Sequence, residues 1–403
     1  MPSSRESAAV DAVFRAEYSF ASVMRIRPHL AIVALAMLLV ISAIPSRAQL
    51  PADQMTTLTL PDPKPNWVYI MDLQFPVNML QKIWIMDGET RKLLGTIFGG
   101  YECNFEISPD HREMYMIDTW YSRGWHGDRT DVVTIFDAHT LNAIGEIALP
   151  PKRLLIVPKR NTTSLTPDGR FLLIANMTPA TSVSVVDLKA RKFRGEIETP
   201  GCAQVTATGK RQFFSMCADG SMLTVQFDDS GKQTAKTQSK PLFDPNSDPM
   251  FDQPAVVGSK AFFISYHGKV LPVDFSGADA VAQPMWSLID DKDIAQKWRP
   301  GGWQTVTFQP RTGILYALMH QGGEWTHKQF GTEVWAFNAN THARVQRIKL
   351  KTPGYSILVS NADKPILFDM SLLPSKLETY SAPDGKFLGA YDDIGSPFLL
   401  YGP

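Results

Sequence analysis

Cysteine is scarce in this chain, net charge is absent, and no apolar run is long enough to span a bilayer. The three cysteines, Cys103, Cys202 and Cys217, form no CxxC pair, which excludes the common zinc-ribbon and thioredoxin-type motifs. Eight histidines contain no HExxH or paired-His spacing, so no metal site is expected. His320 and His327 flank the Gly322-Gly323 turn and read as structural. GxSxG, SxxK and Walker-type loops are missing, and the pairs Gly99-Gly100 and Gly301-Gly302 lack the strand–loop–helix setting of phosphate binding. The chain balances 40 Lys+Arg against 40 Asp+Glu, which gives no global attraction to nucleic acid or to a membrane surface. No self-contained active site is visible, and no catalytic residue is expected in this chain.

The longest apolar run, Leu30 to Ile44, has 15 residues, short of the roughly 20 that a spanning helix needs. Arg25 and Arg27 precede it, and Pro45-Ser46-Arg47-Ala48 follows. A basic segment, a short apolar core and small residues predict a signal peptide over 1–48, cut between Ala48 and Gln49. Residues 1–23 carry Glu6, Asp11 and Glu17, which makes Met24 the more natural start. An exported chain matures in an oxidising compartment, where Cys202 and Cys217 are a plausible disulfide across a hairpin and Cys103 is a buried free thiol.

What the chain does possess is a repeat. Ile83-Trp84-Ile85-Met86-Asp87, Val133-Thr134-Ile135-Phe136-Asp137 and Val183-Ser184-Val185-Val186-Asp187 end on Asp at 87, 137 and 187, a period of 50. Each runs on through a turn into a strand entered near Gly95, Gly145 or Gly195. Weaker copies around Phe227, Asp274, Asn338 and Ser381 bring the units to seven. A second element, such as Thr166-Pro167-Asp168-Gly169 before Phe171, precedes many of them. Two hairpins per unit make a four-stranded sheet, and radial repetition of seven such sheets is an all-β, seven-bladed β-propeller. The rhythm places the propeller at 67–403 behind an arm at 49–66. Ser287–Trp298 is a candidate helical insertion, which accounts for the spacing of 64 between Asp274 and Asn338.

Aromatic and arginine-rich segments stand out at Tyr121–Asp131, Trp298–Gln304 and Glu324–Lys328. Trp, Tyr and Arg are common interface anchors, so Arg129, Asp131, Trp298, Trp303 and Trp325 are candidate subunit contacts. Equally, these are long loops whose tryptophans pack between blades.

These segments resemble the heavy subunits of the methylamine and aralkylamine dehydrogenases. The resemblance rests on RTDVVTIFD (129–137), TSLTPDGRFLLIAN (163–176), TPATSVSVVDL (178–188), MCADGSMLTV (216–225), WRPGGWQ (298–304) and EWTHK (324–328). It spans roughly 67–350 in preserved order. It implies a periplasmic tetramer of two heavy and two light chains that oxidises primary amines to aldehyde and ammonia. The cofactor, tryptophan tryptophylquinone, belongs to the light chain, and electrons pass to a blue copper protein of the amicyanin or azurin type. The heavy chain would be scaffold and channel wall, inactive alone. The family's channel-lining aromatic falls on Tyr101, and its disulfide on Cys202 and Cys217. LPPKR (149–153) and FISYHGKV (263–270) lie nearer the aralkylamine branch, WRPGGWQ and EWTHK nearer the methylamine branch, so the amine stays open. A stand-alone, non-catalytic periplasmic propeller is the reading from a different class.

Overall fold

The computed structural model describes residues 58–403. Seven antiparallel sheets, each at least four strands deep, form seven blades. The inner strands are Pro397–Tyr401, Tyr101–Ile107, Thr163–Leu165, Cys202–Gly209, Ala255–Val257, Val306–Gln309 and Ser356–Val359, from the first blade to the seventh. The first blade mixes both ends of the described chain: Trp67–Asp72 pairs with Lys82–Asp87 on one side and with Pro397–Tyr401 on the other. Tyr69 faces Tyr401 and Ile70 faces Leu400 across that seam. The ring is closed by strand pairing within the first blade, and the inner and outer strand of each blade remain as its sheet edges.

The Asp rhythm marks the end of the third strand in the first three blades, at Asp87, Asp137 and Asp187. Asp87 Oδ1 accepts the backbone N–H of Glu89 (2.8 Å) and Thr90 (3.0 Å), and Asp137 Oδ1 those of His139 (3.1 Å) and Thr140 (2.7 Å). Asn338 repeats the arrangement with Asn340 and Thr341. A short side-chain acceptor thus satisfies the turn amides, the reason Asp and Asn recur there. The turn closes on a left-handed residue, Arg91 (φ 57°), Leu141 (59°), Arg191 (52°) or His342 (62°), and a β-bulge follows in the outer hairpin.

Second and third strands are covered on both faces by the neighbouring blades, so Phe171–Asn176 and Ser182–Asp187 are buried at every position. Tyr115, Ile117, Val133 and Ile135 of the second blade pack against Leu172, Ile174 and Val186 of the third. The fifth blade is the irregular one. Its outer strand is split into Val281–Ala282 and Trp286–Ser287, because Pro284 between them has no N–H to donate. The insertion after it is helical over Asp291–Ala295 only, with a capping box between Asp290 and Asp293. Cys202 and Cys217 face one another across the first hairpin of the fourth blade and are bridged, while Cys103 is free and buried. The signal segment and the Ala48–Gln49 cut lie outside the described residues.

Candidate functional site on the upper face

Antiparallel order puts the start of every inner strand, the second-to-third loops and the connections between blades at one end of the propeller, here the upper face. The turns with the repeated Asp lie at the other end. Tyr101, Tyr121–Asp131, Trp298–Gln304 and Glu324–Lys328 all fall on the upper face or just beneath it.

Tyr101 opens the inner strand of the second blade. The two glycines before it are required by packing: a Cβ on Gly99 would lie 2.4 Å from Asp118 Oδ1, and one on Gly100 2.4 Å from the Thr119 carbonyl. Asp118 Oδ1 instead accepts the Gly100 N–H and the Cys103 thiol, each at 3.0 Å, and Thr134 Oγ1 donates to Oδ2 at 2.8 Å. Burial raises both the Asp118 carboxyl and the Cys103 thiol above their usual ranges.

Arg153, from the connection to the third blade, lies buried beneath this turn. It donates to Thr119 Oγ1 (2.7 Å), Asn104 Oδ1 (3.1 Å) and the carbonyls of Tyr101 (3.4 Å) and Glu102. Arg129 forms a fork on Asp131 at 2.8 and 2.7 Å and also reaches the Arg153 carbonyl. Two guanidinium groups and two carboxylates, all hydrogen-bonded, thus hold the Tyr101 turn. Tyr101 itself is half-buried, its ring edge-on to Tyr121 at 6.1 Å, and burial, then the charge of Glu102, raises its phenol pKa.

The second organising segment interrupts the inner strand of the sixth blade. Trp298–Pro300 and Val306–Gln309 both pair with Ile314–Gln321, and Gly301–Thr305 loops out between them. Gly302 has φ +113°, and a Cβ there would meet the Tyr355 carbonyl at 2.7 Å, so only glycine fits. The loop delivers Trp303 among several blades. Its Nε1 donates to the Pro158 carbonyl at 3.0 Å, its carbonyl accepts from Gln253, and its ring packs on Tyr355 and Phe398. Gln304 bonds both the N–H and the carbonyl of Leu400 in the closing strand.

Below this loop an axial cavity of about 320 Å³ is lined by all seven inner strands, with Glu106, Arg160, Asn161 and Tyr401 among its polar walls. Burial pushes the Glu106 carboxyl up to about 7. Beside the loop a pocket of about 290 Å³ is walled by Phe251, Tyr266, Trp303 and His327. Lys159 bonds Asp252 there and stands 5.3 Å from the centre of the Trp303 ring. Among the described residues, no group of three or more His, Cys, Asp or Glu is placed to hold a metal.

Burial sorts the candidate contact residues. Asp131 and Trp298 are interior, at 0% and 6% exposure, and cannot anchor a partner: Asp131 is held by Arg129, and Trp298 packs on Trp335. Trp303 is an internal crossing that is only half-covered, and Arg129 is half-exposed. Trp325 does project, at 59% exposure. It is joined by residues that composition had not singled out: Phe75, Val77 and Leu80 in the first blade's upper loop and Leu373 in the seventh's. Trp125, inside the 121–131 segment, is also exposed, at 76%. Large apolar groups at these loop tips make the upper face the candidate interaction surface.

Comparison with known proteins agrees with this architecture. The family model for the methylamine dehydrogenase heavy chain matches residues 65–400. The methylamine dehydrogenase heavy chain of Methylophilus methylotrophus is 32% identical over 341 residues, covering 83% of this chain and 82% of the relative. That of Paracoccus versutus is 30% identical over 347 residues, with 85% and 80% covered. Among solved structures, a putative 6-phosphogluconolactonase from Bacteroides fragilis superposes with a TM-score of 0.57 at 12% identity, covering 86% of this chain and 99% of that one. Apo AztD from Citrobacter koseri gives 0.51 at 13%, with 83% and 97% covered. At such identities these two likenesses concern the fold alone. By the family match and the relatives' shared length, this chain belongs to the methylamine dehydrogenase heavy chain family.

Proposed function

We propose that the chain is the heavy subunit of a periplasmic amine dehydrogenase, paired two-to-two with a light chain that carries the quinone. The observation that carries this reading is the family match, which runs through all seven blades. The reaction takes a primary amine and water to an aldehyde, ammonia, a pair of electrons and a pair of protons, and the electrons leave to a blue copper protein. A tryptophan-derived quinone has no fitting place in this chain. The tryptophans in ring contact, Trp298 and Trp335 at 5.1 Å, are 6% and 0% exposed, where no amine reaches them. Electrophilic carbonyl chemistry is the cofactor's, and the protein supplies binding, orientation and electrostatics.

The heavy chain's part is then to seat the light chain on the exposed upper-face side chains, Phe75, Trp125, Trp325 and Leu373, and to wall the substrate channel with Tyr101. The phenol hydroxyl gives that wall a polar rim. Co-expression with a small Cys- and Trp-rich chain tests the proposal. The complex should reduce dye and an amicyanin- or azurin-type protein with methylamine or an aralkylamine, and the heavy chain alone should not. Amine-dependent dye reduction by the heavy chain alone, or no activity in the complex with either amine, overturns it. N-terminal sequencing of periplasmic protein should find Gln49, and an intact N-terminus would refute the cut.

A further inference from the structure

One cation on the axis of the propeller has no counter-ion. Arg160 opens the short 3-10 turn before the third blade's inner strand and lines the axial cavity of about 320 Å³. Its backbone N–H donates to Gln253 Oε1 at 2.9 Å, which fixes the main chain there. Its guanidinium lies over the buried Tyr401 ring, 5.6 Å from the ring centre. The preceding residue, Lys159, is neutralised by Asp252. Among the described residues Arg160 forms no ion pair, not even with the carboxylate of Pro403 on the same wall. A guanidinium held by a ring face alone keeps its N–H donors for something else.

Glu106, from the inner strand of the second blade, shares the cavity with it. Thr163 Oγ1 donates to Glu106 Oε1 at 2.9 Å, and Oε2 has no protein partner among the described residues. Burial, opposed by that hydrogen bond and by the charge of Arg160, pushes the Glu106 carboxyl up to about 7. Below that pH the group keeps its proton and is a donor rather than a repelling anion. Arg160 and the Tyr401 phenol are the titratable groups that face Glu106, and burial first of all keeps the phenol neutral. Much of the remaining wall is apolar, with Val205, Val256, Val306, Phe308 and Leu358. One free cation, one protonated acid and apolar walls suit a planar, singly charged anion with an apolar body. A doubly charged anion would find no second cation.

We propose that the axial cavity binds a small carboxylate with an apolar body, its two oxygens held by Arg160 and Glu106. Arg160 gives the carboxylate a fork of N–H donors, and Glu106 in its acid form donates to one of the oxygens. The site lies within this chain and does not rest on the amine-dehydrogenase reading.

Calorimetric titration of the full chain near pH 6 with sodium benzoate and, separately, sodium butyrate tests the site, with sodium phosphate and sodium chloride as controls. One or both carboxylates should bind saturably at one per chain, and neither control should displace them. Arg160→Gln should weaken that binding by about tenfold or more and leave the thermal midpoint in place, because the side chain bonds no other residue. In the parent, affinity should fall about tenfold between pH 6 and pH 8, as Glu106 ionises and repels the anion. Glu106→Gln keeps a donor and cannot ionise, so its affinity should be equal at the two pH values, an effect that a merely structural residue would not produce. No saturable binding, equal binding of phosphate, or a parent affinity indifferent to Arg160→Gln or to pH overturns the proposal. Activity of the complex with amine and dye bears on the enzyme reading alone and leaves this result untouched.

Discussion

The two ends of the propeller are held by different chemistry. At the lower end neighbouring blades meet through ion pairs between turns: Arg191 with Glu113 (2.5 Å), Arg170 with Asp229 (2.6 Å), Arg211 with Asp168 (2.9 Å) and Arg311 with Asp363 (2.6 Å). Turns of one design alternate with them, built on Asp87, Asp137, Asp187 and Asn338. At the upper end no two loops are alike. Blades there are joined by the Trp303 crossing, by Gln304 on the closing strand and by the guanidinium of Arg153, and aromatic side chains project outward. Exposed ion pairs contribute little and are screened by salt, whereas desolvated rings and buried, fully bonded guanidinium groups hold geometry. The lower end keeps the ring in register. The upper end gives up regularity for specific side-chain placement, which is where a partner and a substrate would be met.

The sharpest way to break this contrast is to remove the crossing. Trp303→Ala should lower stability by about 3 kcal/mol in denaturant unfolding, since it vacates packing against Tyr355 and Phe398 together. A loss near zero would mean that Gln304 and the closing strand hold the blades without it.

His320 gives the next largest effect, through pH. Burial first, then the charge of Arg299, lowers its ring to about 4 from 6.5. The folded state therefore keeps His320 neutral while the unfolded state takes up a proton. Its stabilising contribution is complete above pH 6.5 and is lost as pH falls from 6.5 towards 4, by up to about 3 kcal/mol. Glu106, raised to about 7 from 4.5, runs the other way, its contribution present below 4.5 and lost as pH rises through 7. The difference between parent and His320→Gln unfolding curves across that acid range isolates the histidine. Parallel curves would refute its neutral burial.

Tyr101→Ala should act on kinetics rather than on stability. In the complex it should change KM, or the preference between small and bulky amines, by about two- to tenfold and leave the quinone spectrum intact. Identical kinetics for both amine sizes would remove Tyr101 from the channel wall. Smallest of all, Arg311→Ala should leave the thermal midpoint unchanged within error, because its partner Asp363 is 89% exposed. A clear drop there would show that the lower-face pairs bear more of the stability than their exposure allows.

The fold was legible because its signals are local. The Asp87, Asp137 and Asp187 turns announce the third strands through short-range hydrogen bonding, and Cys202 and Cys217 are brought opposite by one hairpin. The upper face was legible only in part. Trp298, Trp303 and Trp325 are alike in composition, yet one is interior, one crosses between blades and one projects. Only the break at Gly301–Thr305 and the register of Trp298 against Gln321 decide which is which. The close approach of Gly99 to Asp118 and of Gly100 to Thr119 is set by the neighbouring strand and leaves no mark in the Gly-Gly pair itself.

The seam between Trp67–Asp72 and Pro397–Tyr401 sets an order on assembly. The first strand to form must wait for the last, more than three hundred residues later, before its blade is whole. Until then the apolar edge Trp-Val-Tyr-Ile-Met offers unpaired N–H and carbonyl groups to any passing strand. Contacts so distant along the chain form slowly. A chain with six finished blades and this seam still open would therefore expose the edge most prone to pairing with another chain.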